Sequence, residues 1–275
     1  MSLYDNARLL IDGELVAAQG GRTFENINPA TEEVLGLVPD ASVEDTERAI
    51  AAARRAFDES PWATDHALRS RCLRQLRDGL QERIEELRKI TVSEVGCPIS
   101  MTYGPGLDDC VKWLGDYANF LDGYEWKTDM GVAEVMGSKT QRWILREPAG
   151  VMAAITPWNV PNDINLKKLG WAMAAGCTVV LKAAPTTSWC ANFLGEIIAT
   201  KTDVPAGAVN ILTSGDNAAI GEMLTADPRV DMVGFTGSTG VGKRIGEVCG
   251  SQVKRVQLEL GGKSAAIVLP DMPGL

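Results

Sequence analysis

Val151-Met152-Ala153-Ala154-Ile155-Thr156 and Thr178-Val179-Val180-Leu181-Lys182 are apolar runs of strand length, separated by one helix-length segment at Asn162–Ala175. Both runs are apolar without alternation, as in strands covered on both faces. The same unit repeats toward the C-terminus. Further strands are expected at Ala208–Leu212, Asp231–Phe235, Arg255–Leu260 and Ala265–Leu269, with helices at Ser188–Thr200, Asn217–Ala226 and Thr239–Cys249. Strands alternating with helices of about ten to fifteen residues predict an α/β fold with a doubly wound, mainly parallel sheet.

Toward the N-terminus the elements are shorter and more varied. Ile11-Asp12-Gly13-Glu14 and Asn28-Pro29-Ala30-Thr31 are turn signals between brief apolar runs. Ser42 is placed to cap a helix over Val43–Asp58, with Asp45 completing a capping box and Ser60-Pro61 ending it. Leu73, Leu76, Leu80, Ile84 and Leu87 share one face of a helix expected over Ala67–Val95, and its charges are read as a solvated face. A third helix, Asp108–Tyr124, carries aromatics read as core. Val132–Met136 and Gln141–Glu147, around Gly137-Ser138-Lys139-Thr140, predict a protruding β-hairpin.

The 275 residues are 45% hydrophobic and 23% charged, which excludes general disorder and permits a sizeable core. Lys+Arg 27 against Asp+Glu 36 gives a net charge of -9, a sign that repels phosphate backbones and anionic lipid. No nucleic acid or membrane partner is therefore expected. The longest apolar stretch, Ala172–Leu181, is about half a membrane span, and no signal peptide is visible in Met1–Asp12. Cysteines at 72, 97, 110, 177, 190 and 249 form no metal or disulfide spacing and read as reduced and mostly buried. With His66 the single histidine, no metal site is expected, and the chain reads as cytoplasmic.

In a doubly wound sheet ligands bind at the carboxyl ends of strands, and four such ends carry unusual residues. In Thr156-Pro157-Trp158-Asn159-Val160-Pro161, two prolines stiffen a loop whose Asn159 either donates to a developing oxyanion or merely caps the next helix. Lys182 closes an apolar strand, meeting either a ligand hydroxyl or phosphate, or solvent. Phe235-Thr236-Gly237-Ser238-Thr239 leads into a helix N-terminus, an anion-binding turn. It matches neither standard phosphate fingerprint: Arg244 replaces the hydroxyl residue of a P-loop, and Ile245 replaces the third glycine of a dinucleotide turn. Glu259, in Leu258-Glu259-Leu260-Gly261-Gly262-Lys263, is either a partly buried general base or a strand-edge carboxylate paired with Lys254 or Lys263.

Together and in this order, Thr156–Pro161, Val180–Lys182, Phe235–Thr239 and Leu258–Lys263 resemble the aldehyde dehydrogenase superfamily, from the Asp12-Gly13 turn to about Pro270. The resemblance implies a Rossmann-like fold and NAD or NADP as cofactor. The implied reaction is oxidation of a small-molecule aldehyde to a carboxylic acid through a cysteine thioester. It implies that Asn159 donates to the oxyanion and that Glu259 activates the hydrolytic water. Cofactor contacts are implied at Thr156, Pro157, Trp158, Lys182, Gly221, Phe235, Thr236, Gly237, Ser238 and Gly242. The hairpin matches the family's oligomerisation flap, implying a homo-oligomer or pairing with a full-length homologue.

Three departures matter. Ala183 and Pro185 stand where the family has a proline and a ribose-binding glutamate, which removes the charge that would repel a 2′-phosphate and keeps NADP+ open beside NAD+. Asn217 replaces a glycine common near the adenine. The family's nucleophilic cysteine follows the Glu259 segment, and no cysteine follows it here; Cys97 and Cys249 do not match that nucleophile. The chain is therefore expected to be a truncated enzyme, inactive alone. Its cofactor domain is expected at 1–128 and 149–270, the hairpin at 129–148, and a stub of the catalytic domain at 271–275. Alternatives are a non-catalytic dinucleotide-binding or hetero-oligomerising fragment and, more remotely, a P-loop-like nucleotide triphosphatase.

Overall fold

The computed structural model describes residues 4–271; Met1–Leu3 and residues 272–275 of the expected stub lie outside the described residues. Antiparallel β1 (Leu9–Ile11) and β2 (Glu14–Val16) are joined through Asp12 and Gly13, both with positive φ, the geometry of a two-residue hairpin turn. β3 (Thr23–Ile27) and β4 (Val34–Pro39) form a second antiparallel pair around Asn28–Thr31. Helix α1 (Val43–Glu59) starts at the expected capping box, with Ser42 Oγ accepting from Asp45 N and Asp45 Oδ2 accepting from Ser42 N.

The long helix expected over Ala67–Val95 is two helices, α2 (His66–Glu82) and α3 (Ile84–Val95). Arg83 breaks them at φ -116° and ψ 23°. Its guanidinium pairs with Glu86 on α3 and with Glu196 on the later segment 188–201, at 2.8 and 2.6 Å, and lies 4.6 Å from the Phe193 ring centroid. An ion pair distant in sequence thus sits at the break in the apolar stripe. Helix α4 (Asp108–Asp122) leads into the hairpin β5 (Lys127–Val135) and β6 (Ser138–Leu145). The expected four-residue turn is shorter, because Met136 and Gly137 turn the chain at φ 50° and 80° and Ser138–Thr140 pair with the opposite strand.

From β7 (Val151–Ile155) the chain runs α5 (Pro161–Ala175), β8 (Thr178–Lys182), α6 (Ser188–Lys201), β9 (Val209–Leu212), α7 (Asn217–Ala226), β10 (Met232–Thr236), α8 (Thr239–Ser251) and β11 (Arg255–Glu259). The seven-stranded sheet has the order β11-β10-β7-β8-β9-β1-β2, parallel from β11 to β9. This is the expected doubly wound α/β fold. Alternate strand residues face two separate cores. Met152, Ala154, Val179 and Leu181 pack with α2–α6, whereas Val151, Ala153, Ile155 and Val180 pack with α1, α7 and α8. The strand expected at Ala265–Leu269 does not form; these residues are exposed, and among the described residues β11 is the sheet edge with no strand beyond it to pair. Among the described residues no helix is long and apolar enough to cross a membrane. All six cysteines are free and, Cys97 apart, buried.

Glu94 anchors α6 from below. Its carboxylate, 3% exposed, accepts from the first-turn N–H groups of Trp189 and Cys190 at 2.7 and 2.8 Å and from Asn26 Nδ2 at 2.7 Å. Burial pushes the carboxyl up to about 7, against the three donors that pull it down. A carboxyl raised from 4.5 to about 7 binds its proton more tightly when folded. Its contribution is therefore full below pH 4.5 and is lost as pH rises through 7. In urea unfolding, the stability advantage of wild type over Glu94→Gln should narrow by about 3 kcal/mol across that window.

Candidate functional site

The sheet order reverses between β7 and β10: the chain travels β7 to β9 in one direction, then returns to place β10 against the other side of β7. Loops leaving the two carboxyl ends diverge there and open a groove of about 510 Å³. Every cofactor residue expected from the sequence lines it except Gly242. Gly242 is buried instead, and a Cβ there would collide with the Leu260 side chain, so its glycine serves packing of α8 against the segment after β11.

Thr156 ends the β7 side. Its N–H donates to Lys182 O at 3.1 Å, tying the loop to β8, while its Oγ1 is buried with no hydrogen-bond partner. Pro161 takes the first helical position of α5, where a missing N–H costs nothing. Val160 is the N-cap and no side chain caps that helix, so Asn159 is not a capping residue; it stands exposed with Trp158.

Lys182 ends β8 and does not reach solvent, being 2% exposed. Its Nζ donates to Asn217 Oδ1 and, at 3.3 Å, to Ala183 O. Burial lowers its pKa to about 8, with Asp216 opposing. Asn217, noted in the sequence only as a glycine replacement, is thus the lysine's partner. At Gly221 on α7 an added Cβ would meet nothing, leaving that wall open.

The third wall is the turn into α8. Ser238 is its N-cap, with Oγ accepting from Val241 N at 3.4 Å, and Gly237 N donates to Glu259 O at 3.0 Å. Among the described residues nothing takes the N–H groups of Thr239 and Gly240, which stay open to an anion. Gly237 is required because a Cβ would lie 2.5 Å from Phe235 Cζ. Arg244 lines the rim, paired with Glu222 at 2.6 Å and Glu247 at 3.2 Å. That position cannot supply the hydroxyl ligand of a P-loop.

Glu259 ends β11 and is exposed, against the expected partial burial, because an edge strand has no neighbour to cover it. Neither expected lysine pairs with it: Lys254 Nζ donates to Thr225 O and Asp227 O, and Lys263 Nζ to Gly262 O. Glu259 lines a second cavity, about 740 Å³, on the α5 face, and Thr236 lines both cavities. There Lys168, 7% exposed, lies 3.4 Å from Gln257 Oε1. Burial lowers its pKa to about 8, and Glu259 opposes. Sequence reading missed Lys168, although Asn162, Asn165 and Lys168 recur every third residue and make a polar line on the buried face of α5.

A sequence model of the aldehyde dehydrogenase family matches residues 15–273. The chain belongs to the aldehyde dehydrogenase family. It is 39% identical over 270 residues to an aminoacetaldehyde dehydrogenase of Pseudomonas aeruginosa, covering 98% of this chain and 53% of that protein. The solved NAD-dependent aldehyde dehydrogenase of Sinorhizobium meliloti superposes with a TM-score of 0.85 at 40% identity, over 94% of this chain and 50% of the other. An aldehyde dehydrogenase of Bacillus cereus, solved as its NAD+ complex, gives 0.89 at 34% identity over 98% and 54%. The chain spans about half the length of the curated aldehyde dehydrogenases it matches.

A buried ammonium without a carboxylate in contact is a cost tolerated at binding sites. An amine depressed from 10.5 to about 8 binds its proton less tightly when folded, so stability rises with pH between these values. Lys182→Met should remove that rise and be more stable than wild type at neutral pH by roughly 1–3 kcal/mol, as read from urea midpoints.

Proposed function

We propose that this chain supplies the NAD(P)+-binding portion of an aldehyde dehydrogenase, with Asn159 and Glu259 as its contribution to the chemistry. The observation that carries this reading is the single groove at the reversal of strand order, which gathers the loop after β7, Lys182, Gly221 and the turn into α8. The fit to a dinucleotide rests on unsatisfied groups: Thr156 Oγ1 has no partner, Lys182 Nζ has no carboxylate, and the Thr239 and Gly240 N–H groups are open.

Lys182 Nζ would hold the adenosine ribose, and the α8 N-terminus with Gly237 and Ser238 would hold the pyrophosphate. Gly221 leaves room for the adenine, while Thr156, Pro157, Trp158, Phe235 and Thr236 line the remainder. The oxidised nicotinamide held by these residues would supply the hydride acceptor for the oxidation. Asn159 donates its side-chain N–H to the oxyanion formed when a thiolate attacks the aldehyde carbon. Glu259, in the cavity that meets the groove at Thr236, takes a proton from the water that hydrolyses the thioester.

The chain's own cysteines do not supply that thiolate. Burial raises the Cys72 thiol to about 11 and Cys110 to about 12, and it raises Cys97, Cys177, Cys190 and Cys249 as well. Cys177 alone among them borders the Glu259 cavity, but it precedes β8 at the opposite end of the sheet, about 20 Å of strand away. The proposed organisation is a cofactor domain of 1–128 and 149–270 with a hairpin of 129–148 that joins subunits. Val132, Trp143, Ile144 and Leu145 on that hairpin are exposed apolar residues suited to a subunit contact. Six free thiols suit a reducing compartment such as the cytoplasm.

Equilibrium dialysis of the purified chain should show saturable binding of both NAD+ and NADP+, within about tenfold of each other, since no carboxylate follows Lys182 before Thr187. Lys182→Met should weaken both by roughly tenfold. Adding an aldehyde should produce no reduced nicotinamide. Absence of binding to either dinucleotide overturns the cofactor reading, and aldehyde-dependent reduction by the pure chain overturns the assignment of the nucleophile elsewhere.

A further inference from the structure

An aromatic corner lies where α4, the base of the hairpin and α5 meet, and it shares no lining residue with the cofactor groove. Phe120, Tyr124, Trp126 and Trp171 wall a pocket of about 240 Å³. Tyr124 meets Trp126 edge-on at 4.9 Å and 74°, and Phe120 meets Trp171 at 5.7 Å and 81°. His66 stacks on Trp126 at 4.2 Å and fixes the indole. The volume is below that of drug-sized pockets and suits a ligand of one ring.

Apart from the exposed Glu147 carboxylate, the polar side chains of the corner are donors. Trp126 Nε1 is buried with no hydrogen-bond partner, an expense of about 1–3 kcal/mol unless a ligand accepts from it. Arg146 also lines the pocket, its Cζ 5.8 Å from the Tyr124 centroid. One nitrogen of its guanidinium, Nη1, is bonded to Glu125 O and Thr128 Oγ1, at 3.0 and 2.8 Å. Arg69 lies 5.1 Å from the Trp126 centroid. It is fully buried, donates only to the carbonyls of Ala174, Trp62 and Ala63, and leaves Nη2 unpartnered. Burial lowers Arg69 to about 10, which leaves it charged at neutral pH. Glu147 at the rim is exposed, where water screens it.

Aromatic walls alone would accept a cation as readily as a neutral ring. The Arg146 guanidinium and an unused indole N–H in the pocket, with the Arg69 charge against the Trp126 ring, select the opposite charge. We propose that this pocket binds a small aromatic carboxylate, with its ring among Phe120, Tyr124 and Trp171 and its carboxylate on Trp126 Nε1 and Arg146.

Titration calorimetry of the full 275-residue chain with benzoate, benzamide and benzylamine tests this. Expected are saturable binding of benzoate, roughly tenfold weaker binding of benzamide and none of benzylamine. Arg146→Met and Trp126→Phe should each weaken benzoate by about five- to tenfold without changing NAD+ binding. The proposal is overturned by unsaturable benzoate in the wild type, by benzylamine binding as well as benzoate, or by benzoate affinity unmoved in both variants. The wild-type ligand series stands apart from the folding of any variant, and none of its outcomes depends on the cofactor groove.

Discussion

Four parallel strands covered on both faces, β10, β7, β8 and β9, are the constraint from which the other features follow. A sheet of this kind must be covered above and below, and right-handed crossovers place each covering helix on the side that the direction of travel dictates. From β7 to β9 the chain moves one way and lays α5 and α6 on one face; on returning to β10 it lays α7 and α8 on the other. The reversal leaves β7 and β10 adjacent, with outgoing loops that part company. The groove is that parting, and the residues at strand ends acquire their surroundings from it.

The polar groups around the groove sit where a folding chain acting only for stability would not put them. Lys182 is buried against an amide, Thr156 Oγ1 lacks a partner, and the first turn of α8 keeps N–H groups open. Lys168 repeats the pattern in the neighbouring cavity. Two buried carboxylates away from the groove are well paired: Glu94 accepts from three donors, and Asp45 closes its capping box while accepting from Gln19 N. Unpartnered donors lie at both proposed ligand positions, Thr156 Oγ1 in the groove and Trp126 Nε1 with Arg69 Nη2 at the aromatic corner.

At the other extreme is the edge. β11 has a neighbour on one side only, so Glu259 and the residues after it face water, and Ile267, Val268 and Leu269 are exposed apolar side chains. The hairpin β5–β6 is likewise a two-stranded ribbon with exposed Trp143 and Leu145, a form that is marginal in water without a partner. The chain spans about half of its curated relatives, and these are the surfaces through which the proposed larger assembly would continue.

Local chemistry made much of this legible. The turn at Asp12-Gly13, the capping box of α1, the strand Thr178–Lys182 and helix Asn217–Ala226 follow from φ preference, side-chain reach and apolar runs, all properties of neighbours in the chain. The segments that line the groove were recognisable as strand ends for the same reason. What was not legible depends on partners distant in sequence. Arg83 at the helix break meets Glu196, buried Lys182 meets Asn217, and Gly242 packs against Leu260. Glu259 shows the division most plainly: its strand was written in its own residues, but its exposure was set by the lack of any strand beyond β11, and a strand carries no local mark of whether it will lie inside a sheet or at its rim.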